Sequence, residues 1–166
     1  MKTILAAMLI AAALPAAAQK EKKFGDWITD YSLKGFQIAS TSNPSGSTTG
    51  IICNLEKEGC DAFIVMGLDC DNGEAYPMML STAVGAASLS SKCLHIGKMQ
   101  ILVIDEFSAM VGAFESGSEI GFALPMKGGQ FRVSRFSTAG AVPALKEART
   151  PPPSKNKKSK LGDQTL

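Results

Sequence analysis

The sequence has one histidine, His95, and one tryptophan, Trp27, among its 166 residues. Any histidine-dependent catalysis or metal binding must therefore run through a single side chain. No Cys-x-x-Cys occurs, because Cys53, Cys60, Cys70 and Cys93 are separated by 7, 10 and 23 residues. That spacing argues against a thioredoxin-like oxidoreductase and against a zinc site built from these cysteines and His95. No Gly-x-Ser-x-Gly elbow is present either, and Glu115-Ser116-Gly117-Ser118 reads as a turn rather than as a strand-to-helix nucleophile. No internal repeat of useful period appears.

What is there begins with an export pattern. Lys2 supplies a short positive segment, residues 4–14 are free of charge, and Pro15 precedes the small side chains of Ala16, Ala17 and Ala18. Residues 1–18 thus read as a signal peptide cleaved before Gln19. The apolar stretch of residues 4–18, at about 1.5 Å per residue, is too short to span a hydrocarbon core of about 30 Å. The mature protein is expected to be periplasmic or secreted, with no transmembrane anchor. Residues 19–149 are expected to form one β-rich domain, and residues 150–166, with Pro151, Pro152, Pro153 and a lysine cluster, a disordered basic tail. Charge divides the same way: residues 149–166 carry +4, whereas residues 19–148 carry −3. An acidic body has no general attraction for phosphate backbones, so nucleic acid is not an expected partner.

Four cysteines in an exported chain point to two disulfides, with three possible connectivities. Local pairing, Cys53 with Cys60 and Cys70 with Cys93, is preferred because short loops close with the least search. Alternating patterns predict strands at residues 27–31, at 36–41 with Phe36 and Ile38 on one face, and at 51–53 and 62–68. Further strands are expected at 76–80, at 99–104 near the sheet centre, at 120–124, and over Phe131 and Val133. Residues 41–50 read as a loop or hairpin tip, Asp71-Asn72-Gly73 as a tight turn and Lys127-Gly128-Gly129 as a hairpin. Residues 19–23 read as a charged lead-in, and residues 81–91 fit either a short helix or an irregular connection. A short C-terminal helix is expected through residues 142–148, capped by Ser137 or Thr138, with Pro143 in its first turn and Leu145 packed on the sheet.

The chemistry-bearing candidates are few. His95 follows Cys93 by two residues, on the same side of a strand, but a cysteine held in a disulfide offers no thiolate. Asp69-Cys70-Asp71-Asn72-Gly73-Glu74 alternates carboxylates as a calcium loop does, yet its register fails the EF-hand pattern at the third ligand, the glycine and the closing Glu. Arg132 and Arg135 are possible contacts for an anionic ligand. Carboxylate catalysis would need Asp69 or Asp71 to meet Asp105 or Glu106 in the fold. Trp27 is expected to anchor the core.

Three segments carry a resemblance. Phe24-Gly25-Asp26-Trp27 opens the chain after the leader, and Gly59-Cys60-Asp61-Ala62 matches a Gly-Cys-x-Ala turn. Phe136-Ser137-Thr138-Ala139-Gly140 with Ala144-Leu145 is similar to a Ser-Leu-x-Gly-Phe segment followed by a short helix. Together, over residues 24–148, the chain resembles the invasion-associated locus B family, departing from it at Asp30 and Tyr31, which stand where the family commonly has a cysteine soon after the tryptophan. The resemblance implies a single antiparallel β-sandwich-like domain in an envelope or secreted protein, associated in pathogens with host-cell invasion and without a catalytic centre. It transfers no functional residues.

The expectation is a non-enzymatic exported protein, without cofactor or metal, acting through contacts with a protein partner in the envelope or on a host surface. A secreted hydrolase using His95 or a carboxylate pair is one alternative. A periplasmic small-ligand binding module near Arg132 and Arg135 is the other.

Overall fold

The computed structural model describes residues 21–150 except residue 58. The expected leader and all but Thr150 of the expected tail lie outside the described residues.

Ten strands form one antiparallel sheet: β1 (Glu21–Phe24), β2 (Trp27–Asp30), β3 (Phe36–Ser42), β4 (Thr48–Asn54), β5 (Gly59–Val65), β6 (Ala75–Thr82), β7 (Gly85–Ile96), β8 (Met99–Ile104), β9 (Glu119–Pro125) and β10 (Phe131–Ser137). Their spatial order is β1-β2-β3-β4-β5-β8-β7-β6-β9-β10. The sheet curls strongly into a half-barrel rather than splitting into the two packed sheets of a sandwich. Curling a many-stranded twisted sheet gives one concave face on which the core is built.

The register runs one buried row across six strands. Trp27 pairs with Thr41, Thr41 with Thr49, Thr49 with Ile64, Ile64 with Leu102 and Leu102 with Cys93. All six side chains are buried. Two helices fill the concave face: α1 (Phe107–Glu115), which carries the chain from β8 to β9, and α2 (Ala141–Arg149) at the C-terminal end. Helix α2 packs on β1 to β4, and α1 packs on β5 and on α2. Trp27 is fully buried, meets Phe114 of α1 edge to face at 5.0 Å, and donates its indole N–H to the Ser137 carbonyl at 3.0 Å.

Several expectations change. Residues 21–23, expected as part of a charged lead-in, pair with β2 as an edge strand. Strand β3 buries Gln37, Ala39 and Thr41, leaving Phe36 and Ile38 half-buried. Gln37 is tolerated inside because its side-chain amide faces the carbonyls of Ala148 and Thr150, and with the nitrogen turned to them it donates to both, at 2.7 and 3.0 Å, closing the C-terminal end of α2. Residues 81–91 are neither helix nor irregular: they complete β6, turn at Ala83 and Val84, and run into β7. Helix α1 has no counterpart in the sequence reading. At α2 the cap is Gly140 at φ 92°, with no side-chain cap bond. Ser137 and Thr138 instead tie the backbone before the helix, Ser137 Oγ accepting from Ala139 N–H and Thr138 Oγ1 donating to the Gly117 carbonyl.

Both disulfides have the preferred pairing. Cys53–Cys60 joins facing residues of the β4–β5 hairpin, with Cα atoms 4.0 Å apart, and Cys70–Cys93 ties the β5–β6 loop to β7 across 6.1 Å.

Candidate functional site

The edge strand β10 lies against Trp27 of β2, against β3 and against the turns that follow β3 and β5. Alternate residues of an antiparallel strand turn their backbone polar groups to the same side, so the odd residues of β10 face away from β9. There the Ser137 carbonyl accepts from Trp27 Nε1 and the Arg135 carbonyl from Asn43 Nδ2, at 3.0 and 3.2 Å. Ser134 Oγ lies 3.1 Å from Ser47 Oγ, and Arg132 Nη2 is 3.5 Å from the Met66 carbonyl. Side chains, not a backbone ladder, close this seam.

Beyond the helices the mouth of the half-barrel stays open as a cleft of about 620 Å³. Its lining comes from β5, β6, β8, β9, β10 and the loops at their ends, with no contribution from α1 or α2. Ile64, Met66, Leu102 and Leu124 are buried at its floor, and Leu68 adds to it. One wall is the β9–β10 hairpin with Lys127, Gln130 and Arg132, and the facing wall is the β5–β6 loop with Asp69, Cys70 and Asp71. That loop is held by the Cys70–Cys93 disulfide, by the Asp71 N–H donating to Tyr76 Oη at 2.9 Å, and by the Gly73 N–H donating to the Cys93 carbonyl at 2.8 Å.

The sequence candidates are distributed as follows. Arg132 pairs in register with the inward Leu124 and lines the cleft, whereas Arg135 pairs with Gly121 and lies on the other face. Three residues apart on a strand means opposite faces, so the two arginines do not form one ligand contact. Arg135 forms an exposed ion pair with Glu119 at 2.9 Å. Among the described residues Arg132, Lys127, Asp69 and Asp71 form no ion pair.

His95 stands beside the Cys70–Cys93 disulfide, with Nε2 2.7 Å from the Cys70 carbonyl, and its backbone N–H donates to Asn72 Oδ1 at 3.0 Å. Its polar partners are thus backbone and amide groups, not a serine or a carboxylate. The ligand-type atoms of Cys70, Cys93 and His95 lie within 4.8 Å of one another, but the two sulfurs are bonded to each other. Asp69 and Asp71 lie at the mouth with Gln100, at one end of β8. Asp105 follows the other end, about 17 Å along the strand, and Glu106 accepts there from the Ser90 N–H at 3.0 Å. The suspected carboxylate pairs are therefore separated by the length of a strand. Residues 71–74 form a turn, with the Glu74 N–H donating to the Asp71 carbonyl at 3.0 Å.

One further titrating cluster lies at the helix end of the barrel. Glu147 of α2 accepts from Tyr31 Oη at 3.0 Å and pairs with Lys22 at 3.2 Å. The Tyr31 hydroxyl first, and Lys22 next, hold the Glu147 carboxyl below its ordinary pKa; burial first, and the Glu147 charge as well, raise that of Tyr31.

No protein-family model matches the sequence, and no curated protein matches it. Among solved structures, the fold is similar to that of invasion associated protein B from Bartonella henselae, with a TM-score of 0.55 and 13% identity, over 77% of this chain and 94% of that one. At this identity the likeness is one of fold, and at that level it agrees with the resemblance carried by the sequence motifs. Among the described residues no helix is long and apolar enough to cross a membrane. The two disulfides suggest an oxidising, extracellular or periplasmic setting.

Proposed function

We propose that this chain is an exported, non-enzymatic protein that acts through contacts with a protein partner at the cell envelope or on a host surface. The observation that carries this reading is an apolar band on the convex face of β6, β9 and β10. Met79 and Val133 are 49% and 55% exposed there, and Phe131, 58% exposed, carries the band to the rim of the cleft, which it also lines. Met79 neighbours Ala123, Ala123 neighbours Val133, and Pro125 neighbours Phe131, so the residues form one continuous band. Contiguous apolar surface of this kind marks interaction sites, and the Arg135–Glu119 pair on the same face gives it a polar edge. The association with invasion belongs to the Bartonella protein by its name and comes to this chain as part of the proposal. A hydrolase reading has less support, because the ring of His95 meets a backbone carbonyl and the acidic pairs lie at opposite ends of β8.

A photo-reactive residue placed at position 133 in living cells tests this. A discrete cross-linked protein is expected, lost on Met79→Lys with the thermal midpoint unchanged. Absence of any cross-linked protein, or a hydrolytic activity abolished by His95→Ala, would overturn the reading.

A further inference from the structure

Beyond that surface role, we propose that the open mouth of the half-barrel binds a fatty carboxylate, with its chain on the apolar floor and its head on Arg132. Three observations lead there. The cleft, at about 620 Å³, has the volume of a small-ligand site, and the mouths of β-barrels are recurrent places for one. Its floor of Ile64, Met66, Leu68, Leu102 and Leu124 is apolar, which suits an alkyl chain, while the polar lining groups, Gln100 and Gln130 among them, stand around it.

The charges then fix the direction. Arg132 is the cation that strand register itself turns inward, beside Leu124, and it has no carboxylate partner among the described residues. Its only hydrogen bond there is the 3.5 Å contact with the Met66 carbonyl, which leaves most of its five N–H donors for a bidentate carboxylate. Lys127, on the same hairpin, adds a second positive charge. Asp69 and Asp71 stand on the facing wall, where they repel an anionic head and direct it to the hairpin. Arg135, on the opposite face and paired with Glu119, provides an internal control.

Titration calorimetry with laurate below its micelle concentration, on the full disulfide-intact chain, tests the proposal against dodecanol, which has the same chain without the charge. Saturable one-to-one binding of laurate is expected, with dodecanol about tenfold weaker, since a charge-assisted hydrogen bond is worth about that factor. Arg132→Gln should bring laurate down to the dodecanol level, and Arg135→Gln should leave it unchanged, both with the thermal midpoint preserved. Equal binding of laurate and dodecanol, or laurate binding unmoved by Arg132→Gln, would overturn the assignment. So would tighter binding of a short apolar peptide through its C-terminal carboxylate.

Discussion

The two ends of the half-barrel are built by the same strands yet differ in what fills them. At one end residues 24–27 and 137–149 close the sheet. The Asp26 N–H donates to the Ala139 carbonyl at 2.9 Å, Trp27 reaches Ser137, and α1 and α2 occupy the concave face. Gly25 and Gly140, both at positive φ, approach so closely that a Cβ on Gly140 would stand 1.8 Å from the Phe24 carbonyl oxygen. At the other end no helix enters, and apolar strand residues line an open cleft under a mixed-charge rim. The segments that carry the family resemblance at the two ends of the domain, residues 24–27 and 136–140, meet at the closed end. What those motifs do is close the sheet and seat α2, so they report a fold. The mouth, where a ligand would bind, is written in residues outside them.

That contrast predicts a graded response to substitution. The largest effect is expected for Trp27→Ala, which removes the side chain linking β2, α1 and the seam; unfolding titration should show a loss of about 4 kcal/mol. Replacing Cys70 and Cys93 together by alanine should cost about 3.5 kcal/mol, against about 2.5 kcal/mol for the Cys53 and Cys60 pair, because the first closes the longer loop. Hydrogen exchange would then show residues 69–74 opening while the closed end keeps its protection; uniform loss of protection would erase the distinction between the two ends.

A smaller effect is expected at Glu147. Its folded pKa lies below the ordinary value of 4.5, so its contribution is complete above pH 4.5 and is lost as pH falls through the folded value. Glu147→Gln should therefore flatten the acid limb of a stability profile below pH 4.5 and leave the slope near neutrality unaltered. The smallest effect belongs to the mouth. Arg132→Gln and Lys127→Gln should each change stability by no more than about 0.5 kcal/mol, since neither makes an ion pair there. A midpoint shift comparable to that of Trp27→Ala would make the mouth part of the folding core.

Much of the sheet was legible from period-two patterns, and β8 could be placed centrally because Ile101, Leu102, Val103 and Ile104 are continuously apolar. The disulfide pairing was legible from proximity in sequence. Helix α1 was missed although Phe107, Met110 and Phe114 recur at helical spacing and Met110, Ala113 and Phe114 are buried. Its segment is only nine residues long and contains Gly112, so the pattern is short and weakened by a poor helix former. On β10 the alternation of Phe131 and Val133 predicted a strand, and the structure buries Ser134 and Phe136. Period-two alternation alone puts Arg132 and Arg135, three residues apart, on opposite faces.

By itself the sequence determined what depends on neighbours along the chain: strand periods, turns at Asn43, Gly73 and Gly128, two locally paired disulfides and a C-terminal helix. Only the tertiary structure decided which face of β3 and β10 turns inward, that one sheet curls on itself instead of packing against another, and that residues 24–27 meet residues 136–140. It alone brought Met66, Arg132 and the β5–β6 loop around one cleft. The physical reason is that a strand pattern is symmetric between its two faces until a partner is chosen. Register, and with it the inside and the outside, is set by pairings between residues distant in sequence, such as β5 with β8 and β6 with β9.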